Sequence, residues 1–310
     1  MPLWRTPQSR DGPTWKLVQY NPLACMRADR VEHVCQVFAD VEVVGLTETQ
    51  LRAREVDIQR RGVLGLIEAG WQRSPFSNRS CGISVLLHRR FRDEHVRAVR
   101  GGPAGMLGRC LAVRVRTKSE EFTVLALYFS PRVTETKEQA PYERTVRMLF
   151  QWLSNELAGC PARSVPVILC DLNDGIGLAK ASETVIVDPE VVPSAGACVE
   201  HFAGAAFRAV LQAQYMSAFS TLSDVPTFYG TGHTSIVDYV CLPTAMAQAV
   251  RVAGPLVGKG RQLQLISTAT RRDHLPVLME VVRPSFAREV LGASPAPLVR
   301  WDNGACTPTR

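Results

Sequence analysis

The sequence predicts a mixed α/β fold, and three stretches carry this prediction. Val165 to Asp174 (VPVILCDLND) is a short apolar run, typical of a strand buried on both faces, that ends abruptly in polar residues. Residues 15–46 read as a strand, a helix and a strand. Residues 81–129 contain three strand-like runs with no helix between them, which indicates an antiparallel part of a sheet.

Length and composition fit one large domain with tails. The chain has 310 residues, of which 46% are apolar and 21% are charged, enough to bury a large core. We expect residues 15–283 to form the domain and residues 1–14 to form an N-terminal tail. The Pro- and Ala-rich residues 284–310 indicate a C-terminal linker or tail.

The cysteines and the N-terminus indicate an intracellular protein. The nine cysteines are unevenly spaced and include no Cys-x-x-Cys pair, so neither a zinc cluster nor a disulfide framework is indicated. Residues 1–13 lack the apolar core of a signal peptide, and no stretch approaches the roughly 20 apolar residues of a membrane span. We expect a nuclear or cytoplasmic protein that is not secreted, binds no membrane and is a monomer.

Positive charge is concentrated in the first half of the chain. Residues 1–150 carry 24 Lys and Arg against 16 Asp and Glu, whereas residues 151–310 carry 12 against 13. Arginine accounts for 31 of the 36 cationic residues, and its planar guanidinium suits phosphate oxygens. This pattern indicates a polyanionic partner. An equal alternative to a polyanionic partner is that the arginine bias reflects codon composition and that these side chains form a solvated surface.

The first half begins with a strand, a helix and a strand. Trp15–Tyr20 is a β-rich run that stops at Asn21, and Ala28–Ala39 spaces its apolar residues at helical intervals. Val41–Leu46 is again extended and is followed closely by Glu48. The three strand-like runs that come next are Cys81–His88, Arg109–Thr117 and Phe122–Phe129.

The second half is organised around the central strand Val165–Asp171. A helix over about Glu138–Ala158 precedes it, with apolar residues on one face. Residues 175–226 are the least regular part, and a surface excursion there is followed by a helix over about His201–Gln214. The remaining predicted strands are Pro226–Gly230, Thr234–Leu242, with Asp238 inside an otherwise apolar run, and Leu275–Val282.

Polar residues follow or interrupt these strands, namely Asn21, Glu48, Tyr128, Asp171, Asn173, Asp238, Asp273 and His274. Together they supply what metal-assisted hydrolysis of a phosphodiester requires. A hard cation such as Mg²⁺ takes carboxylates, one carboxylate orients or deprotonates water, and a histidine held by another carboxylate donates to the phosphate. Each residue also has a structural alternative: a turn, a helix start, a core tyrosine, a capped buried acid or a structural histidine.

Six short motifs resemble, in order, those of a known superfamily. They are Asn21 after the first strand, LTET at 46–49, LYFSP at 127–131, CDLND at 170–174, IVDYV at 236–240 and RDHLPV at 272–277. The chain thereby resembles the endonuclease/exonuclease/phosphatase superfamily of DNase-type nucleases, apurinic/apyrimidinic endonucleases and non-LTR retrotransposon endonuclease domains. The resemblance implies a four-layered α/β/β/α sandwich with two mixed, mainly antiparallel sheets.

The resemblance also implies how the site binds a metal. Glu48 would be the principal ligand of Mg²⁺, for which Mn²⁺ can substitute, with Asn21 and Asp273 nearby. Leu23 stands where some repair enzymes carry an acidic residue. This departure weakens the case for an abasic-site repair enzyme in particular.

The remaining site residues take catalytic roles by the same resemblance. Asp171 would position or activate the attacking water, and Asn173 would help hold the scissile phosphate. His274, paired with Asp238, would stabilise the pentavalent phosphorus. Tyr128 would contact the phosphate where other branches use histidine.

Within the superfamily the mobile-element branch fits best. PTFYG at 226–230 followed by IVDYV is similar to a region of retrotransposon endonucleases, and RWD at 300–302 resembles the linker that often follows them. The sequence therefore predicts an Mg²⁺-dependent endonuclease that binds DNA or another nucleic acid. Two alternatives stay open: a phosphatase or phosphodiesterase of the same fold acting on an RNA tail, inositol phosphate or lipid, and an inactive nucleic-acid-binding relic.

Overall fold

The protein folds into two seven-stranded sheets packed face to face. The structure is a computed structural model that describes residues 4–5, 11–23, 25, 28–51, 57–61, 64–69, 81–103, 105–176, 200–219, 225–230, 233–263, 274–286 and 299–300. Its strands are β1 (Trp4–Arg5), β2 (Thr14–Tyr20), β3 (Val43–Thr47), β4 (Asp57–Arg61), β5 (Leu64–Ala69), β6 (Ile83–His88), β7 (Val96–Gly101), β8 (Cys110–Arg116), β9 (Glu121–Tyr128), β10 (Val165–Asp171), β11 (Met216–Ala218), β12 (Phe228–Gly230), β13 (His233–Ser235), β14 (Asp238–Pro243), β15 (Val250–Pro255), β16 (Val277–Val282), β17 (Ser285–Phe286) and β18 (Val299–Arg300). Its α-helices are α1 (Ala28–Val37), α2 (Thr136–Ala158), α3 (Phe202–Ala213) and α4 (Val257–Gln262).

Each sheet contains a parallel pair joined by a helix. Sheet A has the order β15-β16-β2-β3-β6-β5-β4, and α1 connects its parallel strands β2 and β3. Sheet B has the order β11-β14-β10-β9-β8-β7-β18, and α2 connects its parallel strands β9 and β10. A parallel pair needs such a crossover, whereas antiparallel neighbours do not. Most other neighbours are antiparallel, so both sheets are mixed and mainly antiparallel.

Three apolar clusters hold the layers together. Leu17 of sheet A and Leu169 of sheet B belong to the cluster between the sheets. Leu149 of α2 and Phe207 of α3 pack on the outer face of sheet B, and Val34 of α1 packs on the outer face of sheet A. The four-layered α/β/β/α sandwich is therefore confirmed. No helix in the described part of the chain is both long and apolar enough to cross a membrane.

Several element boundaries differ from those predicted. The single predicted strand Thr234–Leu242 is wrong, because β13 ends at Ser235 and β14 begins at Asp238. Between them the chain turns from the β12–β13 hairpin into sheet B while the Thr227 hydroxyl accepts two main-chain N–H groups. Strands β4, β5, β7, β11 and β15 were not predicted. Most of the predicted excursion, residues 177–199, lies outside the described residues.

The predicted tails contain short paired strands. In the N-terminal tail, β1 pairs with β17, and in the C-terminal tail β18 lies parallel to β7 at the edge of sheet B. The division into residues 1–14, 15–283 and 284–310 stays a prediction.

Gly45 of β3 sets how closely the two sheets approach. A Cβ added there would lie 2.8 Å from Leu169 Cβ on β10. In a strand interior alanine is ordinarily more stable than glycine by about 0.5–1 kcal/mol. We nevertheless predict that Gly45→Ala lowers the free energy of unfolding by about 1–3 kcal/mol, measured by urea denaturation, because it overpacks the sheet interface. A more stable variant would contradict this account of the interface.

Candidate active site

The directions of the strands bring the polar strand ends to one edge of the sandwich. Asn21 and Glu48 follow the parallel strands β2 and β3, and Tyr128 and Asp171 end the parallel strands β9 and β10 directly opposite each other. Carboxyl ends of parallel strands lie at the same edge of a sheet. The antiparallel β14 begins at this edge, with Asp238 opposite Asp171.

His274 completes the cluster from sheet A. It precedes β16, which runs antiparallel to β2, so it lies near the carboxyl end of β2. Seven of the eight predicted site residues are therefore brought to this edge, and of these all but Asn173 are buried. The eighth, Asp273, lies outside the described residues.

The side-chain amide of Asn21 is the centre of the site. Its Nδ2 donates to Asp171 Oδ2 at 2.8 Å and to Glu48 Oε2 at 3.2 Å, and lies 3.4 Å from His274 Nε2. Its Oδ1 accepts the main-chain N–H of Leu23 at 2.8 Å. The amide nitrogen thus bridges two carboxylates. A direct metal-ligand role for Asn21, as the resemblance implies, would require the oxygen to turn towards the carboxylates and give up these hydrogen bonds.

Asp238 and His274 form a buried pair beside Asp171. His274 Nδ1 lies 2.8 Å from Asp238 Oδ2, and the side chains of His274 and Asp238 are 4% and 0% exposed. The Thr227 hydroxyl accepts the main-chain N–H of Asp238 at 3.1 Å, and the Phe228 ring packs on the imidazole with 5.0 Å between centroids. The pair fixes Nδ1 towards Asp238 and leaves Nε2 facing Asn21 at the centre of the site.

Burial and like charge shift the protonation of this cluster. Burial, reinforced by the negative charge of Asp238, raises the pKa of Asp171 to about 8. Burial on its own would lower the pKa of His274, but the negative charges of Asp238 and Asp171 outweigh it and raise that pKa to about 9. Without a cation, the site at neutral pH therefore holds a protonated Asp171 beside an imidazolium.

Asn173 and Tyr128 are fixed beside Asp171. The N–H of Asn173 donates to Asp171 Oδ1 at 3.1 Å, and its Nδ2 donates to the carbonyl of Phe129 at 2.8 Å. A turn was the structural alternative for the polar residues that follow β10, and this turn is part of the site. Burial raises the pKa of the Tyr128 hydroxyl far above its usual range, so it stays protonated and able to donate.

Strained backbone is concentrated at the same edge. Among the described residues, five other than glycine have positive φ, and four of them flank the site: Leu23, Glu48, Gln50 and Asn173. Such conformations cost energy and persist where the surroundings fix them, which is common at functional sites. The strain therefore agrees with a functional role for these strand ends.

Three residues that shape the site were given no role from the sequence, although two of them, Thr227 and Phe228, lie in the PTFYG motif. Arg109 is 2% exposed, and its guanidinium carbon lies 5.7 Å from the centroid of the Tyr128 ring. It adds a buried positive charge against the Tyr128 ring. Thr227 and Phe228 support Asp238 and His274 as described above. The alternating pattern marked Arg109 as a strand residue, but nothing in that pattern distinguishes an inward-facing arginine from an exposed one.

The donor groups fit a hard divalent cation. Oxygens of Asp171 and Asp238 and a ring nitrogen of His274 all lie within 4.8 Å of one another, and Glu48 lies across the amide of Asn21. Asp238 Oδ1 is buried without a hydrogen-bond partner among the described residues. Because Asp238 and His274 are paired with each other, the carboxylate oxygens that suit Mg²⁺ or Mn²⁺ are those of Glu48 and Asp171.

The comparisons with known proteins rest on structure. No family model and no curated protein matches the sequence. The structure is similar to an AP endonuclease, LMAP, from Leishmania major, with a TM-score of 0.61, 14% identity, and 92% of this chain and 93% of that chain covered. It is also similar to the 3′ phosphatase NExo from Neisseria bound to product DNA hairpin, with a TM-score of 0.59, 14% identity, and 86% and 99% covered.

A mobile-element protein is among the similar structures. The endonuclease domain of TRAS1, a telomere-specific non-LTR retrotransposon, matches with a TM-score of 0.53 and 14% identity, with 87% of this chain and 99% of that chain covered. Similarities at this level of identity show a shared fold. The fold is the one that the sequence motifs implied.

Asp171→Asn is predicted to stabilise the protein when divalent cations are chelated. Because the pKa of Asp171 is raised above its unfolded value, the carboxyl destabilises the fold increasingly as pH rises from about 4 towards about 8. Urea denaturation in EDTA should give a free energy of unfolding about 0.5–2 kcal/mol above wild type at pH 8. The difference should shrink towards pH 5.

Asp174→Asn is the matched control and should have the opposite effect. Asp174 Oδ1 accepts the N–H of Gly175 at 2.9 Å and of His201 at 3.3 Å, and Oδ2 accepts the N–H of Gly204 at 2.8 Å. An amide would place a donor against one of these donors, so a loss of about 1–3 kcal/mol is expected. At Asp171 the same substitution replaces a carboxyl that already carries a proton at neutral pH, so its hydrogen bonds to Asn21 and Asn173 change less. Equal destabilisation by both substitutions would refute the electrostatic account of Asp171.

Proposed function

The chain has the endonuclease/exonuclease/phosphatase fold, and we propose that it is a metal-dependent phosphodiester hydrolase, specifically a DNA endonuclease of the mobile-element type. The observation that carries the proposal is the buried cluster of Asp171, Asp238 and His274, which Asn21 joins to Glu48. Buried carboxylates are costly in a structural core. Perturbed titratable groups gathered at a strand edge are typical of catalytic sites.

We assign the proton-handling roles to Asp171 and His274. The pKa of Asp171 would fall when a cation is bound, and the ionised carboxylate then orients the attacking water and accepts its proton. The imidazolium of His274, held through Nδ1 by Asp238, donates from Nε2 to a phosphate oxygen as negative charge develops there. Tyr128 and Asn173 hold the phosphate in place, and the buried guanidinium of Arg109 adds positive charge near it.

Glu48 is assigned as the principal metal ligand, with Asp273 as a second carboxylate. Bound Mg²⁺ or Mn²⁺ supplies Lewis-acid stabilisation of charge on the phosphate oxygens. Asn21 keeps the carboxylates of Glu48 and Asp171 in separate positions through its two hydrogen bonds. One carboxylate is thereby available to the metal and the other to the water.

Three observations support DNA as the substrate. The similar NExo structure contains a product DNA hairpin, and the similar TRAS1 domain is an endonuclease of a retrotransposon. The first half of the chain has an excess of arginine, which suits backbone phosphates. We also propose a nuclear or cytoplasmic location, because the unevenly spaced cysteines of the sequence indicate a reducing compartment.

A 3′ phosphatase is the second candidate function. The similar Neisseria protein is named as one, and its fold matches over 86% of this chain. Hydrolysis of a terminal phosphate uses the same groups as hydrolysis of an internal phosphodiester, so the products must distinguish the two.

Plasmid nicking tests the proposed activity. With Mg²⁺ the purified protein should nick supercoiled plasmid, and EDTA should abolish nicking. Asp171→Asn and His274→Ala should each reduce turnover about 10²–10³-fold and leave DNA affinity near wild type, because both groups act mainly in the transition state. Asp238→Asn should resemble His274→Ala, since Asp238 acts through the imidazole.

Glu94→Gln is the control for removal of an acidic side chain, since Glu94 is 67% exposed in the connection between β6 and β7. It should nick at the wild-type rate. Nicking by Asp171→Asn at that rate would show that the end of β10 is not the catalytic centre. Release of phosphate from a 3′-phosphorylated oligonucleotide without plasmid nicking would favour the second candidate.

Metal binding should be measurable without catalysis. A cation that binds only the folded state stabilises it, by about 2.7 kcal/mol at a concentration 100 times Kd. Millimolar Mg²⁺ or Mn²⁺ should therefore raise the melting temperature of the wild type and of Glu94→Gln, and should raise that of Glu48→Gln much less. A wild-type protein with no thermal shift would argue against the metal site.

A further inference from the structure

A cleft lies between the start of α2 and the start of α3. Its volume is about 460 Å³, within the range of ligand-binding pockets. The described side chains that matter in its wall are Arg132, Thr134, Gln139, Tyr142, His201 and Phe202. None of them has a role in the hydrolytic site described above.

Arg132 and His201 face each other across this cleft. Arg132 Nη1 lies 3.0 Å from His201 Nε2. A guanidinium can only donate, so Nε2 accepts and the imidazole is neutral, with its proton on Nδ1. Arg132 needs one of its five N–H groups for this hydrogen bond. The other N–H groups and the Nδ1–H of His201 can donate to an anion.

The charges around the cleft favour an anion. Arg132 is the charged side chain among the described lining residues. The carboxylate of Asp174, close to His201, already accepts three main-chain N–H groups, one from Gly175 and two from the start of α3. Glu143 of α2 accepts from Gln139 at 3.0 Å and from Arg147 at 3.3 Å. Asp174 and Glu143 are therefore compensated, and Glu200 is paired with Arg208 and Glu135 with Lys137. The positive charge of Arg132 belongs to the cleft wall.

The other walls of the cleft are aromatic. Tyr142 is 2% exposed, and the guanidinium carbon of Arg147 lies 4.8 Å from the centroid of the Phe202 ring, which fixes that ring at the rim. A ligand that is anionic at one end and partly apolar at the other matches such a cleft. A deoxyribose with its backbone phosphate has this character.

The cleft and the candidate active site share one segment of chain. Asp174, which binds the N–H of His201 at 3.3 Å, is three residues after Asp171, so their Cα atoms are at most about 11 Å apart. On the opposite wall, Arg132 is three residues after Phe129, whose N–H donates to the carbonyl of Asp171 at 2.9 Å. Successive phosphates of one DNA strand are about 3.4 Å apart along the helix axis, so the cleft is within a few nucleotides of Asp171.

We propose that the Arg132–His201 cleft binds a backbone phosphate of the DNA substrate a few nucleotides from the scissile phosphate. The inference rests on the proposed function, because it takes DNA as the ligand. The cleft positions the strand, so its residues act on binding and not on the chemical step. Arg132 binds the phosphate directly, and His201 orients its guanidinium.

Binding to a short DNA duplex in EDTA tests the cleft without requiring catalysis. Fluorescence anisotropy at several salt concentrations gives the slope of log K against log salt, whose magnitude falls by about 0.9 for each phosphate that the protein no longer neutralises. Arg132→Ala should reduce the slope by this amount and weaken binding about tenfold at low salt. Arg132→Lys should restore the slope, because it keeps the charge. The control Arg92→Ala removes a guanidinium that is 74% exposed and should change neither quantity.

Methylphosphonate substitution identifies the phosphate. Neutralising each phosphate of the duplex in turn should weaken wild-type binding at one position, and the same neutralisation should have no further effect on Arg132→Ala. His201→Gln should show a smaller effect at the same position. An unchanged salt slope in Arg132→Ala, or an interference pattern in that variant identical to wild type, would overturn the proposal. The proposal would also fail if the cleft binds inorganic phosphate but Arg132→Ala leaves DNA binding unchanged. The readout of this experiment is binding. A protein that fails to nick plasmid but shows this interference would therefore contradict the proposed activity and still support the phosphate subsite.

Discussion

The hydrogen bond from Asn21 to Asp171 joins the two sheets at the edge where the chemistry is concentrated. Asn21 follows β2 of sheet A and Asp171 ends β10 of sheet B, and 2.8 Å separates the amide nitrogen from the carboxylate oxygen. The same nitrogen lies 3.2 Å from Glu48 Oε2. Carboxylates buried this close repel each other, so the arrangement persists because one donor serves both and because the packed sheets hold the strand ends in place.

The packing of the sheets explains why this site is rigid. The close approach of β3 and β10 at Gly45 and Leu169 leaves no room for a Cβ at residue 45. Any change in the separation of the sheets would therefore also move Glu48 relative to Asp171. The positive φ angles of Glu48 and Asn173 are held in the same way, since strained backbone is retained where the surrounding structure fixes it. Stability and site geometry depend on the same interface.

Arginine serves two purposes in this protein. Several arginines of the basic half stabilise the fold by pairing with buried acids: Arg90 lies 2.7 Å from Glu120, and Arg114 forms an ion pair with Glu121. Such pairs are structural, so the excess charge of residues 1–150 is not all available to a polyanion. The arginines that we propose for contact with a nucleic acid are at the strand-end edge, where Arg109 lies beneath Tyr128 and Arg132 faces its own cleft.

The sequence by itself determined the strand ends, because period and polarity are local properties of the chain. The run VPVILCDLND and the residues Asn21, Glu48 and His274 stand out from their apolar neighbours, and their order along the chain indicated the superfamily fold. The break between β13 and β14 was not predicted, since it depends on the hydroxyl of Thr227, ten residues earlier than Val237. Only the tertiary structure decided that Asn21 presents its nitrogen to two carboxylates, that Arg109 faces inward and that Arg132 meets His201. The hydrogen bonds that the side chains of Asn21 and Arg132 donate join residues 27 to 150 positions apart. Side-chain direction and partner at such separations follow from how the sheets pack and not from the local pattern.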